Sequence, residues 1–97
     1  MLNEDEMLAF INAMRGKLDT YGHKKRKFMD QSILWLISRM KDEVVELEAA
    51  YRIFILDPTD ENREALKKEC ADVANFAAFI HVNADDKEKY QKREFNA

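Results

Sequence analysis

The sequence has one cysteine (Cys70), one proline (Pro58) and two glycines (Gly16 and Gly22) in 97 residues. A lone thiol closes no disulfide within the chain, and nothing beside it has the spacing of a zinc cluster, which fits a reducing compartment. So few chain breakers exclude collagenous and Gly/Ser-linker classes. They also argue against a β-sandwich or barrel, which would need a tight turn about every 8–12 residues. No apolar run approaches the ~18 residues of a membrane span. The opening Met1-Leu2-Asn3-Glu4-Asp5-Glu6 is too acidic for a signal peptide. Basic charge is not in surplus either: 16 Lys+Arg against 19 Asp+Glu leave −3, which argues against a nucleic-acid coat. These absences predict a cytoplasmic protein with no membrane segment and no nucleic-acid partner.

Apolar residues make up 46% of the chain and charged residues 36%, too apolar a balance for intrinsic disorder. A mass of 11.4 kDa allows one domain, residues 1–97, whose own core is modest. Three periodic stretches are visible. The first runs from Glu4 to Leu18, with Met7, Ile11, Met14 and Leu18 on one face and acids in its first turn, where they suit the helix dipole. It ends between Asp19 and Gly22, the glycine being able to take a left-handed cap.

The second stretch runs from Asp30, a candidate N-cap, to Leu56. Ile33, Leu36, Ile37, Met40, Val44, Leu47 and Tyr51 form its apolar arc. Asp57-Pro58-Thr59-Asp60 then ends one helix and begins another. The third runs from Asp60 to Val82, with Leu66, Cys70, Val73, Phe76, Ala77 and Ile80 along one side. Residues 85–97 form a charged tail, either a short exposed helix or frayed chain. The expected fold is all-α: a helical hairpin plus an N-terminal helix. Leu34, Trp35, Val45, Ala49 and Ile53 add apolar surface beyond the core arc. Oligomerisation, to a homodimer or homotetramer, is expected to complete a four-helix-bundle-like assembly.

Two pairs of acids stand out. Glu43-Val44-Val45-Glu46 and Glu69-Cys70-Ala71-Asp72 each place carboxylates at i and i+3, one turn apart on a single face. Glu69 falls inside the apolar arc of its helix, between Leu66 and Phe76, and Asp72 at its edge. A buried carboxylate must be neutralised, paired or metal-bound, and Arg39 is the one evident basic partner, a turn from Glu43. Four convergent carboxylates without histidine favour hard cations, Mg²⁺ or Mn²⁺. A di-iron bundle would need Glu-x-x-His pairs, and neither His23 nor His81 supplies one.

Arg39-Met40-Lys41-Asp42-Glu43-Val44-Val45-Glu46-Leu47, followed by Lys68-Glu69-Cys70-Ala71-Asp72-Val73-Ala74-Asn75-Phe76, resembles the MazG-like all-α nucleoside triphosphate pyrophosphohydrolases. Their signature is Glu-x-x-Glu on one helix and Glu-x-x-Asp on the next; the spacer here, Leu47 to Lys68, is 22 residues. The resemblance covers Asp30 to Ala78, half the chain. It implies Mg²⁺-dependent cleavage of a nucleoside triphosphate between its α and β phosphates, giving monophosphate and pyrophosphate. Glu43, Glu46, Glu69 and Asp72 match the metal ligands, and Glu46 the residue that orients or deprotonates the attacking water. The family places a Lys and, four residues on, an Asn after its third helix to grip phosphates and sugar; Lys92 and Asn96 have that spacing. The charge logic agrees, since a triphosphate carries roughly four negative charges that bare carboxylates repel unless cations invert the local field.

Other candidates carry more than one reading. The run His23-Lys24-Lys25-Arg26-Lys27 is a solvated loop or helix start, a positive rim in which Lys24 and Lys27 draw triphosphate inward, or, third, a site of non-specific RNA binding. Trp35, two turns before Glu43, is core or dimer interface, or a platform for a base. Asn75 makes an interhelical hydrogen bond, or one to a base or sugar. Two rival functions stand beside the hydrolase: a non-catalytic helical interaction module, and a nucleotide-binding relative without turnover.

Overall fold

A computed structural model describes residues 1–22 and 24–86. Four helices follow in order: α1 (Glu4–Tyr21), α2 (Lys24–Met29), α3 (Ile33–Leu56) and α4 (Asp60–Asn83). No strand occurs among the described residues, as the scarcity of breakers led one to expect. The tail positions Lys92 and Asn96 lie outside the described residues.

Local chemistry explains each boundary. Asn3 and Glu6 form a reciprocal capping box at the start of α1, the Asn3 side chain accepting from the Glu6 N–H at 2.8 Å. Gly22 ends α1 at φ 56°, a backbone conformation that side-chain-bearing residues rarely adopt. α3 starts later than expected. Its N-cap is Ser32, whose hydroxyl accepts from the Trp35 N–H at 3.0 Å, not Asp30. The reason lies in the turn after α2, where Gln31 N–H bonds the Phe28 carbonyl and leaves Asp30 two residues short of the helix. Thr59 caps α4 and accepts from Asn62 N–H, while the Asn62 amide donates to the Asp57 carbonyl at 2.8 Å, tying off the hairpin turn around Pro58.

The basic run that the sequence offered as a solvated loop or helix start begins a short helix, α2, with Lys24 and Lys27 exposed. Phe28 and Met29 hold its six residues to the core, and Phe28 lies 5.4 Å from the Phe76 ring, 5.6 Å from Tyr21 and 6.2 Å from Trp35, centroid to centroid. The core is Leu36, Phe76 and Phe79, with Leu18, Tyr21, Phe28, Met29, Met40 and Ile80 packed around it. α4 is the central element, packed along α3 and along α1, with α2 bridging α1 and α4 at one end.

The apolar faces are wider than these contacts cover. Of the arc expected to be buried on α3, Leu36 alone is; Val44 and Tyr51 are exposed. On α1, Met14 and Leu18 are half-buried against the core, whereas Met7 and Ile11 are exposed, because the packed half of this helix is its C-terminal one. No described helix is long and apolar enough to cross a membrane.

Candidate functional site

The hairpin brings the two acid pairs together. Glu43 and Asp72 are each only 7% exposed, and one carboxylate oxygen from each of Glu43, Glu69 and Asp72 lies within 4.8 Å of the others. The i, i+3 spacing on each helix does this: Glu43 points from α3 toward α4 on the face it shares with Leu36 and Leu47, and Glu69 and Asp72 point back from α4. Glu46, one turn along from Glu43, sits beside both Glu43 and Glu69 at the mouth of the cluster. There Glu46 and Glu69 open into a groove of about 330 Å³ between α3 and α4, walled by Ala49, Ala50, Ile53, Asn62 and Ala65. Small side chains on both helices make that slot possible.

The electrostatics show concentrated negative charge only partly offset. Glu43 is pushed up to about 7, first by burial and then by Glu46 and Asp72, with Arg39 opposing. Glu69 is also raised, by burial first and then by Asp72 and Glu46, with Lys17 opposing. Arg39 holds one oxygen of Glu43 at 3.0 Å and stacks over the Phe76 ring at 5.3 Å, so the pairing expected from the sequence is present. Glu69 Oε2 is different: it is buried and has no hydrogen-bond partner among the described residues.

Three contacts with α4 come from α1, and two of them, those of Tyr21 and Lys17, had no place in the sequence reading. The Tyr21 hydroxyl donates to Asp72 Oδ1 at 2.5 Å, and Lys17 Nζ lies 3.3 Å from Asp72 Oδ2. Burial and the neighbouring Asp72 carboxylate hold the Tyr21 proton well above the usual phenol range. The Asn75 amide donates to the Met14 carbonyl at 3.0 Å, so the interhelical role is the one it takes here. Met14, Lys17 and Tyr21 fall at i, i+3 and i+7, one face of α1. That spacing is the signal in the sequence, but it becomes informative only once α1 is known to dock on α4.

Trp35 stacks on Phe28 at an interplanar angle of 29° while keeping part of its ring in solvent. Lys24 and Lys27 are exposed on α2. Cys70 is a free thiol on the half-buried side of α4.

As a donor set the cluster suits a hard divalent cation: oxygen ligands only, more negative charge than Lys17 and Arg39 offset, and one buried oxygen without a donor. Glu43, Glu69 and Asp72 would hold the ion, with Glu46 adjacent. No protein-family model matches this sequence, and no curated protein and no solved structure is detectably similar to it.

Proposed function

We propose that this chain is a Mg²⁺-dependent nucleoside triphosphate pyrophosphohydrolase of the MazG-like kind, converting a (d)NTP to (d)NMP and pyrophosphate. The observation that carries the reading is the convergence of buried Glu43 and Asp72 with half-buried Glu69 across a helical hairpin, with an orphaned Glu69 oxygen and no histidine among them. Mg²⁺ or Mn²⁺ bound there supplies charge neutralisation for the phosphates and lowers the pKa of water. The protein's own parts divide the remaining work. Glu43, Glu69 and Asp72 fix the cation; Glu46, exposed at the mouth of the groove, orients the attacking water and takes its proton. The alanine-walled slot beside Glu46 and Glu69 gives the substrate a surface next to the acids.

A panel of canonical, deoxy- and damaged triphosphates with Mg²⁺, scored for monophosphate and pyrophosphate, tests this. At least one substrate is expected to turn over with an absolute metal requirement. Orthophosphate and diphosphate as products, or full activity in excess chelator, would refute it. The interaction-module reading draws on Arg39 and Lys17, which already neutralise two of the carboxylates. It expects no rise in melting temperature with Mg²⁺, whereas a ligand bound only by the folded state must raise it.

The functional unit is proposed to be a homodimer or homotetramer that completes a bundle around the hairpin. Val44, Tyr51 and Ile55 recur along one flank of α3, and Val45 and Ile53 are more than half exposed beyond it. Among the described residues only Leu36, Ala71, Phe76 and Phe79 are buried apolar groups, a thin core for so much apolar surface. Sedimentation velocity at micromolar concentration is expected to show a dimer or larger. A well-folded monomer there would contradict it.

A further inference from the structure

Both oxygens of Asp72 are engaged by α1, and the two partners differ in kind. Tyr21 brings a neutral O–H to Oδ1. It can stay in place when a cation binds, because a hydrogen-bond donor orients a carboxylate without competing for its charge. Lys17 brings a full positive charge to Oδ2 of a carboxylate that belongs to the acidic cluster where a divalent ion would be held. Two cations cannot share that space without mutual repulsion, which is strong where water is scarce. Arg39, the other nearby base, is committed to Glu43 and Asp42. Lys17 has room to leave: its side chain is 27% exposed, and its flexible four-carbon stem can swing away without moving α1.

The geometry points to Lys17 as a built-in counter-ion of the metal-free site. It competes with the divalent cation for Asp72, and on displacement it turns to the phosphate oxygens of the incoming polyphosphate. The inference rests on the metal-binding reading above and adds regulation to it. Lys17 makes the site a poor cation binder alone and a good one when an anionic ligand receives the displaced ammonium. Cation and polyphosphate binding are thereby coupled.

The test measures Mn²⁺ affinity, by electron paramagnetic resonance of free Mn²⁺, for the wild-type chain, Lys17→Met and Lys17→Arg. Each is measured with and without a nucleoside triphosphate analogue whose α,β-bridging oxygen is replaced by methylene, with circular dichroism to verify folding. Lys17→Met is expected to bind Mn²⁺ alone roughly five- to tenfold more tightly than wild type. Its gain on adding the analogue should be smaller than that of wild type. Lys17→Arg keeps the charge and should behave as wild type in both arms. A lysine that merely fastens α1 to α4 predicts the opposite, since its loss would loosen Asp72 and leave Mn²⁺ binding unchanged or weaker. Wild type that binds Mn²⁺ while Lys17→Met binds it no more tightly overturns the competition. An undiminished analogue effect in Lys17→Met overturns the transfer to phosphate. Wild type that binds no Mn²⁺ with or without the analogue removes the metal reading itself, and this inference with it.

Discussion

Glu69→Gln is expected to lower turnover by about a hundredfold or more while leaving the metal-free fold at least as stable as wild type. Glu69 Oε2 is buried without a donor, and its carboxyl is pushed up by burial and by Asp72 and Glu46. Charge is therefore costly at this position in the absence of a cation. Glutamine keeps the volume and shape but removes the charge, which relieves repulsion among Glu43, Glu46 and Asp72. With metal the same change takes away a hard anionic ligand. The experiment is paired: turnover, and melting temperature with and without Mg²⁺. If Glu69 only formed a surface ion pair, the change would cost about 0–1 kcal/mol and activity would persist. If a partner were left orphaned in the core, the loss would be several kcal/mol, on the order of 3–5. A variant with wild-type turnover, or with an unchanged Mg²⁺-induced shift, would remove Glu69 from the site.

The hairpin was readable from the sequence because its signals are local. A 3.6-residue apolar period runs through both helices, and Pro58 with Thr59 marks the turn between them. The i, i+3 spacing of Glu43/Glu46 and Glu69/Asp72 then sufficed to align the acids once the helices were antiparallel. The α1 contribution was not readable in this way. Tyr21 reaches Asp72 across 51 residues of sequence, and nothing local in α1 says which helix its polar face meets. α2 was hidden for another reason: six residues are too few to show a period, and the basic run around Phe28 reads as solvated. The width of the arc on α3 misled as well. Periodicity says which residues share a face, but burial also needs a neighbour, and α4 covers only the strip around Leu36 and Glu43. Leu36 meets both conditions, and Val44 and Tyr51 meet only the first.

The metal-free protein is expected to lose stability as pH rises from about 5 to about 7.5, the reverse of the usual carboxylate trend. Glu43 titrates in the folded state at about 7 against an ordinary value of 4.5, because burial and then Glu46 and Asp72 disfavour its charged form. Between those values the folded state holds more protons than the unfolded state, so stability falls as pH climbs through the window. Glu69 is displaced in the same direction, so the two carboxyls add to one another in this window. The melting temperature is expected to fall across the same window. Mg²⁺ should flatten or invert the slope, because a bound cation favours the ionised carboxylates and rewards proton release. Thermal melts across this range, in chelator and in Mg²⁺, decide the matter. Glu43→Gln is the control: it cannot ionise, so its chelator slope should be shallower than that of wild type. A wild-type slope that rises with pH in chelator would mean that Glu43 is ionised and satisfied by Arg39 alone. Slopes that superimpose with and without Mg²⁺ would mean that no cation reaches these carboxylates.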